Sequence, residues 1–227
     1  MTAQTLFSHR VSIITGHYGT GKTELSVNLA LALAAEGKRV MLADLDIVNP
    51  YFRSRERRPQ LGGAGIQVVS SSPTGPGAGA PPGGPRGRGG GRGRDIRGIL
   101  DIGGDPVGAR VLARFQPKIV QEDYQLIFVL NANRPEVREA EHAIAYLRSI
   151  EAVTGLTCSG IVNNTHLCGE TTPAEIRKGA ALAEAVSRQT GIPILCHTAE
   201  VRFADAVSDL REPVFPITIN MKKPWER

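Results

Sequence analysis

Residues 16 to 23 read Gly16-His17-Tyr18-Gly19-Thr20-Gly21-Lys22-Thr23. This stretch fills every fixed position of the phosphate-binding loop pattern G-x-x-x-x-G-K-[ST]. Its glycines let successive backbone N–H groups turn toward phosphate oxygens, and a following helix would add its positive dipole end. In this pattern Lys22 reaches the β- and γ-phosphates of a nucleotide, and the Thr23 hydroxyl binds Mg²⁺. A glycine turn that only caps a helix is the alternative, and it explains neither Lys22 nor Thr23.

The segments on either side of the loop have the character that this motif requires. Val11 to Thr15 is a short apolar run typical of a buried strand, and Glu24 to Leu33 is typical of a helix. Strand, glycine loop and helix in this order form the context in which the pattern binds phosphate. The loop is therefore predicted to lie at the carboxyl end of a strand.

Strand-like and helix-like segments alternate through the rest of the chain, which favours a mainly parallel sheet with helices on both faces. We therefore predict the α/β fold of a P-loop NTPase, a three-layer α/β/α sandwich built as one domain over residues 1–227, with the ligand at the carboxyl ends of the strands. The predicted strands are 38–43, 66–70, 99–102, 124–130, 156–162, 192–197 and 214–219, and the predicted helices are 107–115, 136–150, 173–189 and 203–210. Thr172 is predicted to cap the helix that starts at Pro173.

The composition bounds the class of protein. The chain has 227 residues, of which 41% are hydrophobic, and no apolar run reaches the roughly 20 residues that a membrane-spanning helix needs. Without a recognisable signal sequence, we predict a cytoplasmic protein with no membrane span. The three cysteines, Cys158, Cys168 and Cys196, are too few for a disulfide framework. Scattered buried thiols explain them better than a metal site with His166 and His197 does, because no known zinc spacing is present.

The positive charge is concentrated in one segment. Of the formal net charge of +5, Arg86, Arg88, Arg92, Arg94 and Arg97 less Asp95 supply +4, since five arginines oppose one aspartate. This segment lies within a Gly, Pro, Arg and Ser-rich stretch from Ser71 to Gly98, so we predict disorder over about residues 72–96. A dedicated RNA-binding tail is disfavoured because no aromatic residue is interleaved to stack on bases. A locally shifted reading frame or a degraded stretch is the other explanation.

Two aspartates follow the second predicted strand at a spacing that places them on one side. Asp44 and Asp46 would reach the same sheet edge as the phosphate loop, where carboxylates act near Mg²⁺ or on an attacking water. The alternative is that one caps a helix and the other belongs to a turn. The arginines that follow within residues 53–60 are interpreted either as a site for acidic groups or as a solvated face.

Four stretches together resemble the ParA/MinD-type ATPases, a superfamily that also contains the cobyrinic acid a,c-diamide synthase and dethiobiotin synthetase relatives. The similarity covers most of the chain outside about residues 72–96. The stretches are residues 16–23, 44–53, 101–105 and 163–167.

The resemblance implies roles for single residues. Asp101 matches the Walker B group that holds Mg²⁺ through water, and Gly103 and Gly104 match a loop that approaches the γ-phosphate. Asn163 or Asn164 matches an asparagine that pairs with the adenine edge, for which a side-chain amide has both a donor and an acceptor. The nucleotide contacts predicted in this way are Gly16, His17, Tyr18, Gly19, Thr20, Gly21, Lys22, Thr23, Glu24, Asn163 and Asn164.

The same resemblance implies ATP and Mg²⁺ as cofactors, a nucleotide-dependent homodimer and a client protein whose identity the sequence does not give. Lys22, Asp44 and Asp46 are the implied catalytic residues. One position departs from the family, because His17 stands where these ATPases often carry a signature lysine that reaches across the dimer. Arg53 and Arg134 are candidates for a substitute cation.

Two other functions stay open beside an ATPase switch. One is a biosynthetic enzyme that phosphorylates a carboxylate to form an amide or a ring, for which substrate-dependent ADP release would be diagnostic. The other is a module that binds nucleotide and a partner without turnover, which His17 would fit.

Overall fold

A computed structural model describes residues 2–45, 58–70 and 95–220 of the chain. Its centre is an eight-stranded sheet with the order β3-β2-β4-β1-β5-β6-β7-β8, in which every neighbouring pair is parallel. The strands are β1 (Val11–Thr15), β2 (Arg39–Asp44), β3 (Gln67–Ser70), β4 (Ile96–Asp101), β5 (Tyr124–Leu130), β6 (Cys158–Asn163), β7 (Ile194–Glu200) and β8 (Val214–Ile217). The predicted parallel sheet is confirmed.

Helices cover both faces of this sheet. They are α1 (Ala3–Leu6), α2 (Lys22–Ala35), α3 (Arg58–Gly63), α4 (Pro106–Ala113), α5 (Gln116–Ile119), α6 (Ala140–Thr154) and α7 (Pro173–Thr190). Apolar side chains of α1, α2 and α3 form one buried cluster with the sheet, and those of α4 to α7 form another on the opposite face. The three-layer α/β/α sandwich predicted from the sequence is therefore present.

The central strands are buried along their length, as expected for strands covered on both faces. All five residues of β1 are buried, and only the first residue of β5 is partly exposed. The predicted bounds of β5 agree with the structure, because its apolar run coincides with the burial that two helical layers impose. β1 lies between β4 and β5, so the loop that follows β1 begins at the middle of the sheet.

Several predicted elements differ from the observed ones in their bounds. The helix predicted from residue 136 begins instead at Ala140, because Pro135–Val137 forms a separate turn of 3-10 helix. The helix predicted over 203–210 is replaced by two 3-10 turns, Val201–Phe203 and Asp205–Val207. Thr172 does precede α7, but its side chain makes no capping hydrogen bond; its backbone carbonyl accepts from the Glu175 N–H at 3.1 Å.

The disorder predicted over residues 72–96 falls mostly outside the described residues, which resume at Asp95. Ile96 is a correction to that prediction, because it already pairs with Arg39 as the first residue of β4. Pairing with β2 extends β4 through Arg97 and Gly98, which local composition alone disfavours. The thiols also differ from expectation in one case, since Cys158 and Cys196 are buried but Cys168 is exposed.

Candidate nucleotide-binding site

The phosphate loop connects β1 to α2 and lies directly against the neighbouring strand β5. Gly16, its first glycine, has φ 145°, and a Cβ there would come within 2.4 Å of the Val129 carbonyl oxygen. The Val129 carbonyl belongs to the backbone of a buried strand, so it cannot move aside. Gly16 is therefore required by this close approach as well as by its dihedral angle.

Inside the loop, the carbonyl oxygen of His17 binds two side chains. The Lys22 ammonium donates to it at 3.0 Å, and the Thr20 hydroxyl donates to it at 2.9 Å. Lys22 is the first residue of α2 and only 7% exposed, so its charge is held within the loop. Thr23 follows in the first turn of α2 and is partly exposed. The positive end of the helix dipole, Lys22 and the Thr23 hydroxyl thus share one location.

Two carboxylates end neighbouring strands beside this loop. Asp44 is the last residue of β2 and Asp101 the last residue of β4, and the two are direct partners in the parallel register. They are 4% and 1% exposed, respectively. The structure thus brings together two of the three predicted acids, whereas Asp46 lies outside the described residues.

The segment after β4 passes directly over the phosphate loop. A Cβ at Gly104 would lie 2.5 Å from the Lys22 ammonium and 2.8 Å from the Tyr18 backbone nitrogen. The Tyr146 hydroxyl of α6 donates to the Gly104 carbonyl oxygen, which ties this segment to the helix. Burial, assisted by the charge of Asp105, raises the pKa of Tyr146, so the phenol stays neutral and able to donate. Gly104 thus lies against the phosphate loop, while its approach to a γ-phosphate stays a prediction; Tyr146 is a residue that the sequence did not indicate.

The two asparagines predicted to contact a base have different environments. Asn163 is fully buried; its amide nitrogen donates to the Ile176 carbonyl oxygen at 3.0 Å, and its amide oxygen accepts from the Thr165 N–H. Asn164 donates to the Thr20 carbonyl oxygen at 2.8 Å, and its own amide oxygen accepts from the Thr198 hydroxyl. Asn164 is therefore bound to the phosphate loop itself. A base contact by either residue stays a prediction.

Glu24, predicted as a nucleotide contact, connects α2 to the end of the chain that the structure describes. Its carboxylate accepts from the Asn220 N–H at 2.8 Å and from the Asn28 amide at 3.1 Å. A role in nucleotide binding stays a prediction for this residue.

His17 is half-buried and packs against α6 of the same chain. Its ring meets the Tyr146 ring edge-on, with 4.9 Å between ring centroids. Its Nδ1 lies 3.2 Å from the Tyr18 carbonyl oxygen and 3.9 Å from a carboxylate oxygen of Glu136. Tyr18, by contrast, is 54% exposed. The residue at the signature-lysine position is thus engaged by α6 and by the segment that precedes it.

Two further side chains contact the loop from the segments after β5 and β6. The Arg134 guanidinium donates through Nε to the Gly19 carbonyl oxygen at 2.7 Å. A Cβ at Gly21 would lie 3.0 Å from His166 Nε2, so this imidazole is close to the start of α2. Burial and the charge of Arg134 lower the pKa of His166 to about 4, which keeps the ring neutral.

This arrangement agrees with what comparison with known proteins shows. Residues 11–208 match the CobQ/CobB/MinD/ParA nucleotide binding domain. The chain belongs to this family. The resemblance to ParA/MinD-type ATPases inferred from four short stretches is thereby confirmed, and the loop at the end of β1 is the phosphate-binding loop of a nucleotide-binding domain.

Individual relatives match the chain over short segments. An uncharacterized ATP-binding protein of Methanocaldococcus jannaschii is 51% identical over 43 residues, which are 19% of this chain and 16% of that protein. The antiactivator FleN of Pseudomonas aeruginosa is 57% identical over 37 residues, or 16% of this chain and 13% of FleN. The matched segments thus span less than a fifth of either curated relative.

Among solved structures, the cell division protein FtsY of Thermotoga maritima has a similar fold. The match has a TM-score of 0.51 and 21% sequence identity, and it covers 81% of this chain and 59% of the FtsY chain. At this identity the likeness concerns the fold alone.

Within the described part of the chain, no helix is both long and apolar enough to cross a membrane.

Proposed function

We propose that the chain binds ATP with Mg²⁺, hydrolyses it slowly to ADP and phosphate, and acts as a nucleotide switch of the ParA/MinD type. The observation that carries this proposal is the phosphate loop with Lys22 held inside it, at the sheet edge where Asp44 and Asp101 lie in register. The name of the archaeal ATP-binding relative supports ATP as the nucleotide.

The residues at this edge fit a magnesium ion by the chemistry of their donors. The Thr23 hydroxyl and the Asp101 carboxylate offer oxygen atoms, which Mg²⁺ prefers together with nucleotide phosphates and water. These two residues would hold the ion, which when bound neutralises charge on the phosphate oxygens.

The chain's own groups divide the remaining work. Lys22 stabilises negative charge on the β- and γ-phosphates, as a buried cation in a preorganised loop can. Asp44 orients the attacking water, and Asp46 assists from two residues further along. Gly104 lets the segment after β4 lie against the Lys22 ammonium, because no Cβ intervenes. We propose that the terminal phosphate binds next to this segment.

The experiment that tests this proposal measures phosphate release from ATP by the purified chain, with and without Mg²⁺. Lys22→Ala is expected to lower turnover at least about a hundredfold, since removing one group that stabilises the transition state costs on that order. Lys118→Ala is the matched control, because Lys118 is an exposed lysine on α5, away from the loop. Equal turnover in the wild type and Lys22→Ala would refute the assignment.

One observation favours a second candidate, a module that binds nucleotide without turnover. His17 replaces the signature lysine, and its ring is held against Tyr146 of the same subunit. ATP binding in the wild type with no phosphate release under any condition would support this alternative over the ATPase.

A nucleotide-dependent homodimer and an unidentified client complete the proposal, on the strength of the family alone. Specific activity is then expected to rise with protein concentration through the range where the dimer forms. Specific activity that stays constant across a dilution series spanning dissociation would count against activation across a dimer.

A further inference from the structure

The side chain of Arg134 reaches the phosphate loop from 115 residues further along the chain. It lies in the segment between β5 and α6, and its Nε donates to the Gly19 carbonyl oxygen at 2.7 Å. Arg134 as a whole is partly buried. The contact is thus specific in both distance and direction.

Gly19 is the position that makes room for this group. A Cβ there would lie 2.6 Å from the Arg134 Cζ and 2.7 Å from its Nε, closer than real Cβ atoms come to other heavy atoms. Gly19 also has φ 74°, in the left-handed region. The loop glycine and the arginine therefore fit each other.

The contact fixes the direction of the loop backbone. With the Gly19 carbonyl bound by Arg134 and the Thr20 carbonyl bound by Asn164, two successive carbonyl groups have side-chain partners outside the loop. Loop N–H groups that are to bind phosphate need carbonyls that point elsewhere. Arg134 supplies one of these two anchors.

Arg134 also brings a charge that is permanent. Within residues 2–45, 58–70 and 95–220, no ion pair joins this guanidinium to a carboxylate. A guanidinium stays protonated at any physiological pH. Its charge contributes to lowering the pKa of His166, which shows that its field reaches the neighbouring side chains of the site.

We infer that Arg134 is a positioning residue for the nucleotide polyphosphate: it holds the Gly19 carbonyl away from the ligand and adds a positive charge to the loop that carries Lys22. This inference rests on the proposed nucleotide-binding function. Arg134 would thus supply, from the same chain, a positive charge at a loop in which His17 occupies the position of the signature lysine.

The test compares the affinities of ATP, ADP and AMP for the wild type, Arg134→Ala, Arg134→Lys and Arg134→Gln, by competition against a fluorescent ADP. Loss of a charge-assisted contact is expected to lower the affinity for ATP about tenfold to a hundredfold. The affinity for ADP should fall less, and that for AMP least. Arg134→Lys should recover part of the ATP affinity at low salt, because it keeps the charge, whereas Arg134→Gln should not. Arg138→Ala is the matched control, because Arg138 is an exposed arginine whose guanidinium lies 3.8 Å from the Glu139 carboxylate.

The inference is overturned if Arg134→Ala binds all three nucleotides as tightly as Arg138→Ala does. It is equally overturned if all three weaken by the same factor, since a merely structural effect would not distinguish phosphate number. Should Arg134→Ala fail to fold, the ratio of ATP affinity to AMP affinity is compared between Arg134→Lys and Arg134→Gln. Equal ratios in these two variants would refute a role for the positive charge. A wild type that binds no nucleotide would refute the proposed function instead.

Discussion

His166 illustrates what burial does to a single residue at this site. Its ring lies beside Gly21, and its Nδ1 accepts from the Cys168 N–H at 3.3 Å. Desolvation, with the charge of Arg134 second, lowers its pKa to about 4 from an ordinary value of 6.5. Protonation therefore favours the unfolded chain, where the imidazole is hydrated.

This shift predicts a loss of stability in mild acid. The contribution of His166 is fully present above pH 6.5 and is lost as the pH falls from 6.5 toward 4. Between pH 7 and pH 5 the wild type should lose about 2 kcal/mol of unfolding free energy through this residue, measured by urea denaturation. Over the same pH interval, His166→Asn should lose less unfolding free energy than the wild type, by about 2 kcal/mol.

His197 also contributes to the pH dependence of the unfolding free energy. Burial lowers its pKa, against an opposing influence of Glu212, and the His166→Asn variant keeps this contribution. The difference between the two chains therefore isolates His166. Identical pH dependence in the wild type and His166→Asn would contradict the prediction.

At the scale of elements, the contact between α7 and β6 depends on one glycine. A Cβ at Gly179 would lie 2.0 Å from the Thr165 hydroxyl oxygen and 2.1 Å from the Asn163 amide oxygen. Gly179 therefore lets the helix approach the carboxyl end of β6, beside the site. A glycine inside a helical pattern is a sequence signal of close packing, and it could have indicated this contact.

Gly179→Ala is therefore expected to destabilise the chain by about 3 kcal/mol, because the helix must move away from β6 or strain its neighbours. Intrinsic helix propensity alone would predict the opposite sign, a gain of about 1 kcal/mol. Urea denaturation measures the difference. Gly62→Ala, in α3, is the control, because nothing lies within 4 Å of a Cβ at that position. A stabilised Gly179→Ala chain would show that α7 is less tightly fixed than the structure implies.

The bounds of elements show where local patterns are sufficient. β5 was predicted over its observed residues because a long apolar run bounded by polar residues is buried by two helical layers. β4 begins three residues before the apolar pattern indicates, because Ile96 to Gly98 owe their extended conformation to pairing with β2 and β1. α6 begins later than its sequence pattern indicates, because a turn of 3-10 helix at Pro135–Val137 continues the helical pattern before the α-helix begins.

At the scale of the whole molecule, Asn28 connects the first long helix to the last strand. Its amide nitrogen donates to the Thr218 carbonyl oxygen at 2.9 Å, and its amide oxygen accepts from the Thr218 N–H at 2.8 Å. These residues are 190 positions apart. The backbone that follows β8 is thus fixed on α2, next to the phosphate loop.

Asn28→Ala is expected to lower the unfolding free energy by about 2 kcal/mol, because it removes both partners of the Thr218 backbone at a part-buried position. Thermal and urea denaturation without nucleotide measure the loss. Gln121→Ala, at an exposed position after α5, serves as the control. An Asn28→Ala chain as stable as that control would mean that water replaces the amide at no cost.

The phosphate loop, the parallel three-layer fold and the acids at the strand ends could be predicted from the amino-acid sequence, and the resemblance of four stretches indicated the family. The loop and the single strands and helices could be predicted because each depends on residues close together in the chain, in a spacing that one strand, loop or helix dictates. The contacts that fix the loop, the segment after β4 and the start of α2 depend instead on the tertiary structure. Arg134 meets Gly19 across 115 residues, Tyr146 meets Gly104 across 42, and Glu24 meets Asn220 across 196. Those contacts arise where chain segments distant in sequence are packed together, and no local periodicity encodes such a meeting.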